Sequence, residues 1–107
     1  MILLIFLLNY IRKYRTKAMA VQQEQIKRAI KIAEAFGATR LILFGRAATE
    51  PDQAKDIDLA CDGVPGWKLF ELGARLEEEL KMPLDLIPLS PPNRFTRIIE
   101  RRGTVLL

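Results

Sequence analysis

Apolar residues change period along this chain, and each change marks an element. Val21, Ile26, Ile30, Ala33 and Phe36 recur near helical spacing with Gln, Glu and Lys between them, and Gly37 follows where a left-handed cap would end a helix. Arg40 to Phe44 (RLILF) is a short, almost wholly apolar run stopped by Gly45, the pattern of a buried strand. Residues 46–55 are a polar connection. Asp56 to Cys61 (DIDLAC) alternates strictly and predicts a second strand, followed by a turn at Asp62–Gly66. Trp67 to Lys81 is amphipathic, with Leu69, Leu72, Leu76 and Leu80 on one side and Glu71, Glu77 and Glu78 on the other. Pro83 to Leu89 (PLDLIPL) predicts a third strand, and its marginal prolines suit a sheet edge. Pro91 or Pro92 opens a last helix running to about Arg102, Gly103 caps it, and Thr104–Leu107 adds a short strand. There is no internal repeat. This order of elements describes a small α/β (α+β) sandwich, a mixed β-sheet flanked by helices, with Trp67, Phe70 and the leucines in its core and Cys61 as a small buried thiol.

Charge separates the first 18 residues from the rest. The chain has 107 residues, 17 Lys+Arg and 13 Asp+Glu, a formal net charge of +4. Arg12, Lys13, Arg15 and Lys17 account for the whole excess, and residues 19–107 are charge-balanced. Met1 to Leu8 (MILLIFLL) is far shorter than the roughly 20 apolar residues that span a bilayer. Its basic residues follow the apolar run, whereas a signal peptide places them before it, although Ala18-Met19-Ala20 mimics a cleavage site. We read residues 1–18 as an extension outside the functional domain, ahead of an added helix and of a membrane anchor. Residues 19–107 form the single domain. The balanced body, with no basic face studded with aromatics, gives no reason to expect a nucleic-acid partner, and no membrane partner is expected.

Composition then limits the chemistry. With no histidine, one cysteine and one serine, Ser-His and Cys-His triads and Cys/His zinc sites are excluded. Carboxylates remain. In Asp56-Ile57-Asp58, alternate strand residues share a face about 6.6 Å apart, so both acids project together while Ile57 and Leu59 point to the other face. Asp85, set between Leu84 and Leu86, is a third acid in an apolar strand. If that strand lies beside the second, the three converge, and a divalent cation with a preference for hard oxygen ligands relieves their repulsion. Taken singly, an Asp-x-Asp is an ordinary solvated strand face. The ordered set of apolar strand, glycine turn, polar loop, Asp-x-Asp strand, helix and third-acid strand is less ordinary.

That set resembles a known family. Leu43-Phe44-Gly45, ten residues, then Asp56-Ile57-Asp58-Leu59 is similar to the signature of the nucleotidyltransferases of the DNA polymerase beta superfamily, and more narrowly of the minimal nucleotidyltransferases (MNT). Leu84-Asp85-Leu86-Ile87 fits the third acidic position, and Arg97 to Gly103 fits the final helix and glycine. The resemblance covers roughly residues 20–107. It implies a nucleotidyltransferase palm-like fold, with Asp56, Asp58 and Asp85 as catalytic residues binding Mg2+ or Mn2+. Asp85 would also assist deprotonation of an acceptor hydroxyl, and Gly45 and Arg46 would contact an NTP substrate, ATP by preference. One departure stands out: the family's serine after the glycine is missing, and Arg46 follows Gly45 directly.

Nothing in so short a chain is left over to recognise an acceptor. The resemblance implies a small helical partner of the HEPN type, with the chain acting as a cytoplasmic antitoxin that transfers a nucleoside monophosphate to its toxin. A homo-oligomer is left open. The alternative is a catalytically degenerate module that only binds its partner; the missing serine favours it and the three intact aspartates oppose it.

Overall fold

The computed structural model describes residues 5, 17–50 and 54–107, with side chains of the first helix described from Glu24 onward. Apart from Ile5, the expected N-terminal extension lies outside these residues as far as residue 16, as does the side chain of Val21. Helix α1 (Lys17–Ala35) leads into strand β1 (Arg40–Phe44), a short helix α2 (Arg46–Thr49) and strand β2 (Ile57–Asp62). Helix α3 (Gly66–Leu80), strand β3 (Leu84–Pro88), helix α4 (Arg94–Arg102) and strand β4 (Thr104–Val105) complete it. The strands form one mixed sheet in the order β3-β2-β1-β4. β1 is antiparallel to both β2 and β4, and β2 is parallel to β3. The parallel step requires a crossover, which α3 supplies. The expected α+β architecture, the third strand's edge position and the short final strand are all present.

Alternation along the strands divides the core in two. Leu41, Leu43, Leu59 and Cys61 point to one face and pack with Ala29, Ile30 and Ala33 of α1 and Leu72, Leu76 and Leu80 of α3. Gln25 donates to the Glu79 carbonyl at 3.1 Å and Arg28 contacts the Glu79 carboxylate at 3.1 Å, which ties the two helices together. On the opposite face, Ile42, Ala60, Leu89 and Ile99 form a smaller cluster under α4, with Phe44, Ile87 and Val105 at its margin. Cys61 is buried as expected.

Several expectations need correction. Residues 46–55 contain helix α2, because Ala47 and Ala48 are good helix formers that half-bury against the larger cluster. The second strand starts at Ile57, so Asp56 sits just before it. The last helix begins at Arg94, beyond both prolines. Asn93 caps it reciprocally: the Thr96 N–H donates to Asn93 Oδ1 at 2.9 Å, and the Asn93 N–H donates to Thr96 Oγ1 at 2.8 Å. Trp67 and Phe70 are not core residues; they are 78% and 88% exposed. On a wheel of 100° per residue, Trp67 lies opposite the leucine stripe that faces the sheet, and Phe70 lies about 120° away from it.

Candidate metal and nucleotide site

Register brings the acids together. Asp58 of β2 is paired with Asp85 of β3 on one side and with Phe44 of β1 on the other, so all three side chains emerge on the α4 face of the sheet. Asp56, one step before the strand, reaches the same place by the two-residue alternation. Asp56, Asp58 and Asp85 each offer a carboxylate oxygen, and these oxygens lie within 4.8 Å of one another. Asp56 and Asp85 are exposed, whereas Asp58 is half-buried. Among the described residues, no basic side chain forms a salt bridge with any of the three.

The electrostatics follow from that geometry. Burial pushes the Asp58 carboxyl above its ordinary pKa, and the charges of Asp56 and Asp85 push it in the same direction. An uncompensated cluster of this kind is unfavourable for the fold on its own. Three hard oxygen donors, in no salt bridge with a cation among the described residues, fit a magnesium or manganese ion.

Gly45 forms one wall. Its φ of +70° turns the chain out of β1, and a Cβ at this position would stand 2.5 Å from Asp58 Oδ2. Only glycine combines this backbone with this approach. The Gly45 carbonyl accepts from the N–H groups of Ala48 and Thr49 at 3.1 and 3.3 Å, and Thr49 Oγ1 also donates to it at 3.3 Å, closing the turn. Arg46 begins α2 and is exposed, with no salt bridge among the described residues. Lys55 is exposed as well. Four of the five expected site residues are therefore in one place: the three aspartates meet, Gly45 abuts Asp58, and Arg46 leaves the turn toward solvent.

The motifs did not single out an aromatic pair at this site. Phe44, beside Asp58, meets Phe95 of α4 edge-to-face with ring centroids 5.8 Å apart. Phe95 remains 53% exposed. The strand pairing of Phe44 with Asp58 was the usable signal, but it required the register of β1 on β2.

No protein-family model and no curated protein sequence matches the chain. Solved structures do. A chain of the toxin–antitoxin complex MntA–HepT superposes with a TM-score of 0.63 at 22% identity, covering 80% of this chain and 72% of that one. A toxin–antitoxin structure with AMP-PNP gives a TM-score of 0.66 at 20% identity, covering 77% and 72%. A structure of the tri-AMPylated Shewanella oneidensis HEPN toxin in complex with its MNT antitoxin gives 0.63 at 22% identity, covering 80% and 71%. At these identities the likeness is one of fold. The chain has the minimal nucleotidyltransferase fold.

Proposed function

We propose that the chain is a metal-dependent nucleotidyltransferase-like antitoxin that moves a nucleoside monophosphate from an NTP, ATP by preference, to a small helical partner of the HEPN type. The observation that carries this reading is the convergence of Asp56, Asp58 and Asp85 beside the tight turn at Gly45. The structural neighbours that pair an MNT antitoxin with a tri-AMPylated HEPN toxin, or contain AMP-PNP, support the choice of donor and partner.

Asp56, Asp58 and Asp85 would hold one or two divalent ions, which supply charge neutralisation for an in-line phosphoryl displacement. The remaining work belongs to the chain. Asp85, exposed on the edge strand, receives the proton of the acceptor hydroxyl as that oxygen bonds to the α-phosphorus and pyrophosphate departs. Gly45 keeps the turn close to Asp58, and the Arg46 guanidinium offers phosphates a charged contact in place of the absent serine. Trp67 and Phe70, solvent-exposed on α3, are apolar surface of the kind that protein partners cover.

Incubation with magnesium, ATP labelled at the α-phosphate and a HEPN-type partner tests the proposal. Label should pass to the partner and be lost in Asp58→Ala. The absence of Arg46's serine counterpart favours one other reading, a silent partner-binding module. Partner binding without magnesium-dependent ATP binding or labelling would establish that module instead.

A further inference from the structure

The row of side chains across the sheet at its acidic end runs Phe44, Asp58, Asp85. The next row, Ile42, Ala60 and Ile87, is covered by Ile99 of α4. Phe95 lies at the boundary. One side of its ring is braced by Phe44, with the planes at 84°, and about half of it faces solvent. A core residue would be covered, and a surface residue of a charged helix has no need of a large ring. Its neighbours in α4, Arg94 and Arg97, are both exposed and cationic.

We infer that Phe95 is the platform on which the nucleobase of the bound nucleotide stacks. The inference rests on the proposed nucleotide site and adds to it the residue that holds the base. The ring is separated from Asp58 by one cross-strand step and one aromatic contact, a span that the sugar of a nucleotide bridges when its phosphates lie at the aspartates. Aromatic rings take any base by its π-face, so this platform provides affinity with little discrimination between bases. Asn93 and Thr96, on either side, are occupied by their mutual cap, and the ring of Phe95 is braced by Phe44.

Calorimetric titration of the full chain with ATP and with tripolyphosphate, both in magnesium, tests this. Phe95→Ala should weaken ATP binding by roughly 5- to 100-fold and leave tripolyphosphate binding unchanged. Phe95→Trp should retain ATP affinity, and ATP but not tripolyphosphate should quench its added indole fluorescence. Thermal unfolding of both variants controls for folding, since the half-exposed ring is dispensable for the core. Equal ATP affinity in wild type and Phe95→Ala overturns the inference while leaving the nucleotide site intact. Equal losses for ATP and tripolyphosphate overturn it too, because the ring would then only prop the acidic site. If wild type binds neither ligand, the nucleotide reading itself fails and takes the inference with it.

Discussion

Asp58 is held where an ionised carboxylate is disfavoured, half-buried and beside two other acids. Its folded-state pKa lies above the ordinary value, so the folded chain binds this proton more tightly than the unfolded chain does. Stability therefore falls as pH rises from below the ordinary carboxylate range through the folded pKa, the reverse of an ion-paired aspartate. Asp58→Asn should raise the melting temperature in EDTA at pH 7, and its advantage should shrink as the pH is lowered through that range. A variant less stable than wild type at pH 7 would mean that the carboxylate makes favourable contacts in the metal-free fold. Gly45→Ala places a methyl against Asp58 Oδ2 and forces a positive φ on alanine; denaturant unfolding should show a loss of about 1 kcal/mol or more. Cys61 behaves differently. Burial, with a smaller contribution from Asp62, pushes its thiol up to about 11 from 9.0. The unfolded chain releases this proton first, so the thiol's contribution to stability is lost between those values, and at pH 8 a thiol reagent should label Cys61 only in denaturant.

At the scale of elements, helix α3 carries two faces with opposite energetics. Leu72 and Leu76 are fully buried against the sheet, and Leu76→Ala should cost about 2–5 kcal/mol in denaturant unfolding. Phe70→Ser on the outer face should fall within about 0.5 kcal/mol of wild type, despite removing a larger apolar side chain. The apolar period made the helix and its leucine stripe readable in the sequence. It did not show that two aromatic residues off the stripe stay in water, because hydrophobicity alone does not say which residues lack a covering layer. The sequence pattern sets the start of α4 too early for a related reason. Pro91 and Pro92 look like first-turn residues, but the Asn93–Thr96 capping pair fixes the helix start beyond them. Helix α2 leaves no mark in the pattern, because four residues are too few for a periodic signal.

At the scale of the whole molecule, the acidic site exists only because three segments meet in register. Asp56 and Asp58 were readable as neighbours from strand alternation. Asp85 was readable as an anomaly in an apolar strand, and its meeting with Asp58 required the parallel pairing of β2 and β3. The Phe44–Phe95 pair depends on where α4 crosses the sheet, which nothing local encodes. Among the described residues, no helix is long and apolar enough to cross a membrane. The net charge of +4 belongs to the first 18 residues, so the electrostatics of the body are set by the aspartate cluster. The most direct test of the central claim is the magnesium dependence of ATP binding, measured by calorimetry on wild type and Asp58→Ala. ATP should bind wild type in magnesium, fail to bind in EDTA, and fail to bind the variant in either. Binding that is indifferent to magnesium, or that survives Asp58→Ala unchanged, would contradict the account.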